Sequence, residues 1–271
     1  MPMNPQGLTL DAKSPNGTMR CHQTVTPNPS LMKTLERILI ALVIAVFTTG
    51  ASAEPKPPAG NTLKNPAEET GKPRVFIIGD SISLGYTAGV RKNLEGKAVV
   101  LRPPVNCQHT GYGLANLKTW LGTGKWDVIH FNWGIWDTHM LDEKGGLLRA
   151  PDEAKAAVPM HIRYTPEQYR ENLEQLVKIL EGSSAKLIWA STTPIMSRKG
   201  QRFEDIRIRN DIAAEIMRAH KIATDDLYAL VLPHAKEWQT GDQVHYNATG
   251  NEKLAGKVSE SILQALARGS R

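Results

Sequence analysis

From residue 74 to residue 267, short apolar segments alternate with longer segments whose apolar residues recur at helical spacing. The apolar segments predict strands at residues 74–80, 98–101, 126–133 and 186–190. The longer segments predict helices at residues 82–94 and 114–121, from Thr165 onwards, and at 204–220 and 247–267. Strands separated by helices pair in parallel, because a parallel pair needs a crossover connection. We therefore expect one α/β domain over residues 74–268, with a parallel sheet covered by helices on both faces.

One predicted helix has a specific start signal. Thr165 is followed at once by Pro166, and Gln168 lies three residues after Thr165, an arrangement typical of a capping box. The preceding residues 135–164 show no periodicity and contain two adjacent glycines, so they predict an irregular insertion. This insertion is either a lid over a site or a passive surface loop.

The first 73 residues differ in composition from the predicted domain. Residues 1–31 are polar and aperiodic, and we interpret them as a disordered extension or as sequence upstream of a true start at Met32. Residues 32–53 have a basic start, an apolar run and a terminal Ala-Ser-Ala, which is typical of a secretory signal peptide. The Pro-rich residues 54–73 predict a flexible linker.

The apolar run of the predicted signal is shorter than the about 20 residues that a membrane span needs. An uncleaved anchor remains the alternative. We expect a protein exported to the periplasm or the cell exterior, with no stable membrane span in its mature form.

Composition narrows the expected partners. The net charge of +6 arises from basic residues scattered along the chain, without a cluster typical of nucleic-acid binding. Cleavage after residue 53 leaves Cys107 as the one cysteine, so no internal disulfide is expected. His130, His139 and His161 lack the spacing of metal ligands. The sequence therefore predicts no nucleic-acid partner, no metal and no cofactor.

The first predicted strand ends on Gly-Asp-Ser, directly before a helix. In parallel α/β sheets, ligands bind beyond the carboxyl ends of the strands. Ser81 stands at that end and also at a helix N-terminus, where free N–H groups favour negative charge. A serine placed there can attack a carbonyl carbon while nearby N–H groups hold the oxyanion. The alternative is that Asp80 or Ser81 only caps the helix.

Near the other end of the chain, Asp242 precedes His245 by three residues, just before the last predicted helix. Serine needs a base to accept its proton, and histidine suits that role because its reference pKa is about 6.5. A carboxylate beside the imidazole fixes its tautomer and stabilises its cation. These three side chains form a candidate Ser-His-Asp triad.

The "GDSI" beginning at Gly79 and the "DQVH" beginning at Asp242 resemble the first and last motif blocks of the SGNH/GDSL hydrolases. The resemblance extends from residue 74 to about residue 267. It implies a three-layer flavodoxin-like fold and the cleavage or transfer of acyl esters without a metal. It also implies that Ser81 is the nucleophile, His245 the base and Asp242 the partner of that base.

The middle motif blocks of this family are less well matched. The resemblance implies that Gly111 donates its N–H to the oxyanion, with Gly113 as the competing choice. The third block of the family is Gly-x-Asn-Asp, whereas this chain has Trp136 in place of the asparagine. We expect an oxyanion hole formed by the N–H groups of Ser81 and Gly111 and by the side chain of Asn132, with Trp136 as the alternative donor.

These features predict an exported serine esterase acting on short acyl esters, such as acetyl esters, of a small molecule or a polysaccharide, with lipid esters as the second substrate class. Three alternatives remain open. One is a non-catalytic glycan-binding protein on a degenerate hydrolase scaffold, and another is an acyltransferase with the same triad. The third is a thiol hydrolase that uses Cys107 and His109.

Overall fold

The computed structural model describes residues 62–147, 161–196 and 201–268. The predicted upstream extension (1–31), the signal peptide (32–53) and residues 54–61 of the linker lie outside these residues. Within the described residues, none of the helices combines the length and the apolar character that crossing a membrane requires.

The core of the fold is a sheet of five parallel strands. The strands are β1 (Arg74–Ile78), β2 (Val99–Leu101), β3 (Val128–Phe131), β6 (Lys186–Ala190) and β7 (Ala223–Asp225). Their spatial order is β2-β1-β3-β6-β7. This is the 2-1-3-4-5 order of flavodoxin-like folds, so the predicted fold class is confirmed.

Helices connect the strands and cover the sheet. They are α1 (Ser81–Asn93), α2 (Thr110–Leu121), α3 (Pro166–Glu181), α4 (Phe203–Ala219), α5 (Leu227–Val231), α6 (Ala235–Trp238) and α7 (Ala248–Ala267). The start of α2 lies four residues before the predicted one. Strand β7 and the short helices α5 and α6 had no counterpart in the prediction.

Each face of the sheet has its own apolar core. Along β1, Val75 and Ile77 belong to one buried cluster, whereas Phe76 and Ile78 belong to the other. The first cluster packs against α1 and α7, and the second packs against α2, α3 and α4. Both faces are therefore covered, as the three-layer prediction requires.

The described part of the predicted insertion is ordered. A 3₁₀ turn (Ile135–Thr138) follows β3, and two short strands, β4 (Met140–Leu141) and β5 (His161–Ile162), pair antiparallel. Residues 148–160 lie outside the described residues, and the choice between lid and surface loop stays a prediction. After β5, Thr165 caps α3: its Oγ1 accepts from the Gln168 N–H, and its own N–H donates to Gln168 Oε1. The predicted capping box is confirmed.

Residues 62–73, predicted as flexible linker, are anchored to the edge of the sheet. The side-chain amide of Asn65 donates to the carbonyl of Arg102 at 2.9 Å, and Asn65 Oδ1 accepts from the Arg102 N–H at 3.0 Å. These two bonds imitate the pairing of a neighbouring strand just beyond β2. Composition alone did not show this, because a single asparagine is enough to make the contact.

Candidate active site

The candidate site lies where the order of the strands reverses. Strands β1 and β3 are neighbours, with Ile78 in register with Phe131. The Asn132 N–H continues the pairing by donating to the Ile78 carbonyl at 3.0 Å. The segments that follow β1 and β3 therefore lie side by side at the carboxyl ends of the strands, where doubly wound sheets bind ligands.

Ser81 is the first residue of α1, and Asp80 is the residue that caps this helix. Asp80 Oδ1 accepts from the Ile82 N–H at 2.9 Å, and burial raises the pKa of Asp80. The cap alternative is thus fulfilled by Asp80, and the Ser81 hydroxyl remains available. As the first helical residue, Ser81 also has an N–H with no partner inside the helix.

Ser81, His245 and Asp242 lie in one hydrogen-bonded row. Ser81 Oγ is 2.8 Å from His245 Nε2, and His245 Nδ1 is 2.5 Å from Asp242 Oδ2. The carboxylate favours the tautomer with its proton on Nδ1, which leaves Nε2 to accept the serine proton. The structure therefore brings together side chains separated by 164 positions in the chain.

Several donors keep Asp242 ionised. Burial favours the neutral acid, but the His245 ring, the N–H groups of His245 and Val244, and the Thr240 hydroxyl all donate to the carboxylate. Together they hold the pKa of Asp242 well below its usual range. The Asp242 carboxylate is therefore negative wherever His245 would act as a base.

The loop that carries Asp242 and His245 is closed by backbone pairing. The Thr240 N–H donates to the His245 carbonyl at 2.8 Å, and Gln239 pairs antiparallel with Tyr246. Gln243 at the turn has a left-handed φ of 58°. This closed loop holds the acid Asp242 and the base His245 in fixed positions relative to each other.

Gly111, the predicted oxyanion donor, lies at the start of a helix. It is the second residue of α2, and a Cβ added there would lie 2.1 Å from the Tyr164 hydroxyl. The lack of a side chain is thus explained by packing against Tyr164. The competing Gly113 is explained in the same way, since an added Cβ would lie 2.8 Å from the Trp133 ring.

Cys107, in the loop before α2, contacts the turn that precedes the candidate nucleophile Ser81. Its N–H donates to the Gly79 carbonyl at 3.3 Å, and its carbonyl accepts from Trp133 Nε1 at 3.2 Å. Trp133 is buried. The oxyanion contribution of Gly111 stays a prediction, and the geometry gives it no support.

Asn132 is engaged elsewhere. Its side-chain nitrogen donates to the Ala190 carbonyl at 2.8 Å and to Thr192 Oγ1 at 3.0 Å. Both amide hydrogens are therefore bonded to groups at the carboxyl end of β6. This geometry argues against Asn132 as an oxyanion donor. Trp136, the alternative, is half-buried in the 3₁₀ turn after β3. Of the two, Trp136 is the candidate with a side-chain donor not committed to the sheet.

Asp137 connects the 3₁₀ turn to α2. Its carboxylate accepts from the N–H of Thr110 at 3.0 Å and from the Thr110 hydroxyl at 2.5 Å. Burial raises the pKa of Asp137 to about 7, although these bonds and the nearby Arg209 and Arg163 oppose the shift. This contact also explains the early start of α2. The sequence signal for it was the Asp that ends the third motif block.

Cys107 and His109, the two side chains of the thiol-hydrolase alternative, are poorly suited to that chemistry. Burial raises the pKa of the Cys107 thiol to about 11, so the reactive thiolate is scarce at neutral pH. Burial also lowers the pKa of His109 to about 4, and its Nδ1 accepts from the Tyr112 N–H. Both side chains instead stabilise the loop before α2.

His130 is fully buried in β3, with Nε2 3.0 Å from Asp225 Oδ2. In the part of the chain that the structure describes, no group of three or more His, Cys, Asp or Glu side chains is placed to hold a metal ion.

Neither protein-family models nor curated proteins match this chain. Solved structures do. A lipase/acylhydrolase from Enterococcus faecalis is 20% identical with a TM-score of 0.56, covering 70% of this chain and 95% of its own. The acetyl xylan esterase AlAXEase is 16% identical with a TM-score of 0.54, covering 70% and 99%. A GDSL-like lipase from Bacteroides thetaiotaomicron VPI-5482 is 16% identical with a TM-score of 0.52, covering 71% and 89%.

The chain shares the fold of these solved hydrolases, one of which is a GDSL-like lipase. The resemblance seen in the first and last motif blocks is confirmed at the level of the fold. At these identities the likeness establishes the fold alone, and the chemistry has to be argued from the residues.

Proposed function

We propose that the protein is a serine esterase of the SGNH/GDSL type that hydrolyses acyl esters. The observation that carries the proposal is the row of Ser81, His245 and Asp242, with contacts of 2.8 Å and 2.5 Å. The lipases, acylhydrolases and esterases with the same fold support it. So does the position of Ser81 at a helix N-terminus on the switch point of the sheet.

The proposed reaction has two steps. Ser81 Oγ attacks the ester carbonyl while its proton moves to His245 Nε2, and the carbonyl oxygen becomes negative beside the N-terminus of α1. Collapse breaks the bond to the alcohol, which leaves with the proton from His245 and leaves the acyl group on Ser81. Water then gives its proton to His245 and attacks the acyl group. The acid is released and the serine proton is restored.

For the substrate we propose short acyl esters, with acetyl groups on carbohydrate as the first class. The acetyl xylan esterase among the structural neighbours supports this class. The half-buried indole of Trp136 is also suited to a sugar ring, because its face is apolar and its edge is polar. We further propose that residues 32–53 export the protein, which would bring it to extracellular polysaccharide.

Replacing Ser81 by alanine tests the nucleophile. We expect Ser81→Ala to lower kcat on p-nitrophenyl acetate at least about a thousandfold, given losses of roughly 10⁶ for serine-triad knockouts elsewhere. Ser261→Ala, a half-buried serine on α7, is the matched control and should keep full activity. Activity retained in Ser81→Ala would refute the proposal.

Covalent labelling separates this proposal from the glycan-binding alternative. A fluorophosphonate should label Ser81 in the wild type and fail to label Ser81→Ala, because an unactivated serine does not react. Product analysis with an added sugar acceptor then separates hydrolysis from acyl transfer. Predominant formation of the acylated sugar would reassign the enzyme as an acyltransferase.

A further inference from the structure

Arg102, the residue after β2, has a buried guanidinium directly behind the nucleophile turn. The residue is 1% exposed. Its Nη1 donates to Thr87 Oγ1 at 3.0 Å and its Nη2 to the Gly79 carbonyl at 3.3 Å, while Nε contacts the Pro103 carbonyl at 3.4 Å. Within the described residues, every hydrogen bond of the Arg102 guanidinium goes to an uncharged oxygen.

Stability alone does not account for a cation at this position. A guanidinium stays charged in proteins, and burying a charge without a direct ionic partner is unfavourable. The Arg102 guanidinium acts to lower the pKa of Asp80, but the Asp80 carboxyl is not among the direct hydrogen-bond partners of Arg102, and Asp80 Oδ1 is bonded to the Ile82 N–H. An unbranched apolar side chain would fill the same space without the cost of burying a charge.

The contacts of Arg102 converge on the backbone that carries the nucleophile. The Gly79 carbonyl accepts from Arg102 and also from the Cys107 N–H, so one oxygen joins the turn before Ser81 to the loop before α2. On the other side, Thr87 Oγ1 donates to the Ser83 carbonyl at 2.6 Å, within the first turns of α1. The guanidinium therefore fixes both the turn that precedes Ser81 and the helix that follows it.

We propose that Arg102 is a positioning residue for ester cleavage. It holds the backbone that presents the Ser81 N–H, couples it to the Cys107 loop, and supplies a fixed positive charge behind the site where the oxyanion forms. A fixed cation in a region of low dielectric favours negative charge that develops in the transition state, and it needs no reorganisation during the reaction. This inference rests on the proposed esterase function.

The test compares Arg102→Gln and Arg102→Lys with wild type on p-nitrophenyl acetate. Active sites are counted by fluorophosphonate labelling, so that unfolded molecules do not lower the apparent kcat. We expect Arg102→Gln to lower kcat at least about tenfold with KM changed less than about twofold, a smaller loss than removal of a direct oxyanion donor. Arg102→Lys keeps the charge and should recover part of kcat. Affinity for phenylboronic acid, which forms a negative tetrahedral adduct with serine, should fall in parallel with kcat.

Arg91→Gln is the matched control. Arg91 is partly buried and, like Arg102, is bonded to backbone carbonyls, through Nε to the Val100 carbonyl in β2 and through Nη1 to the Lys64 carbonyl, without contacting Gly79. It should lose stability and keep kcat. If Arg102→Gln does not fold, Thr87→Val provides the test, since it removes the hydroxyl that holds Nη1, and it should lower kcat several-fold.

Unchanged kcat and unchanged phenylboronic acid affinity in the folded Arg102 and Thr87 variants would overturn the positioning role and leave the esterase proposal intact. A wild type that neither hydrolyses p-nitrophenyl acetate nor reacts with fluorophosphonate would instead refute the esterase function, and this inference with it.

Discussion

At the scale of single residues, Asp137 is a buried carboxyl group that retains its proton to unusually high pH. Its pKa of about 7 reflects burial that exceeds the effect of the Thr110 hydrogen bonds. In the unfolded chain the pKa of an aspartate is about 3.9. The folded protein therefore binds this proton more tightly, and the contribution of Asp137 to stability decreases as pH rises from about 4 to about 7.

Asp137→Asn should remove this pH dependence. The amide can still accept from the Thr110 N–H and can donate to the Thr110 hydroxyl oxygen. Relative to wild type, we expect the free energy of unfolding of the variant to rise between pH 4 and pH 7, by at most about 1.4 kcal/mol per pH unit. Urea denaturation across this range measures the difference. Asp211→Asn on the exposed face of α4 is the control, and a pH-independent difference for Asp137→Asn would contradict the assignment.

The sequence predicted the side chains of the triad but not the details of the oxyanion hole. Ser81, Asp242 and His245 lie in short motifs that fix their local geometry, and the parallel fold brings the two ends of the domain together. Whether a side chain can donate to the oxyanion depends on whether its hydrogens are already bonded to other groups. The involvement of Asn132 with Ala190 and Thr192 across neighbouring strands has no signature in the local sequence.

At the scale of helices and strands, two glycines on helices differ in what surrounds them. Gly113 on α2 lies against Trp133, so an added Cβ would approach the indole ring to 2.8 Å. Gly256 on α7 has no atom within 4 Å of an added Cβ. The two positions share a helical backbone, and any difference between their alanine variants therefore reports packing.

We expect Gly113→Ala to lower the free energy of unfolding by about 1–3 kcal/mol through overpacking. It should also lower kcat, because Trp133 holds the Cys107 carbonyl in the loop next to Gly79. Gly256→Ala should raise the free energy of unfolding by up to about 1 kcal/mol and leave kcat unchanged. Urea denaturation and p-nitrophenyl acetate kinetics measure both. Equal effects of the two substitutions would contradict this account of Gly113.

The elements that the sequence predicted are those with a strong periodic or capping signal. Helix α3 combines a capping box with an apolar face, and β1 is an unbroken apolar run. Strand β7 is only three residues long, and Ala223 and Thr224 are exposed, so it has no apolar pattern to detect. Helix α2 starts before its apolar pattern does because His109 and Asp137 satisfy its first N–H groups.

At the scale of the whole molecule, the segment before β1 is part of the folded domain. Asn65 exchanges two hydrogen bonds with the backbone of Arg102 and accepts a third from Arg91 Nη2 at 2.9 Å. Asn65→Ala should therefore lower the free energy of unfolding by about 1–3 kcal/mol, because partly buried backbone groups lose their partners. Urea denaturation measures the loss. Lys64→Ala, an exposed neighbour, is the control and should change stability by less than about 0.5 kcal/mol.

The amide of Asn65 has a practical consequence for recombinant work. A fragment cut just before Arg74, where the apolar pattern begins, would lose the side chain that covers the backbone beyond β2. An uncovered sheet edge is a template for pairing with a second molecule. Fragments intended for crystallisation or for fusion to other proteins should therefore include Asn65.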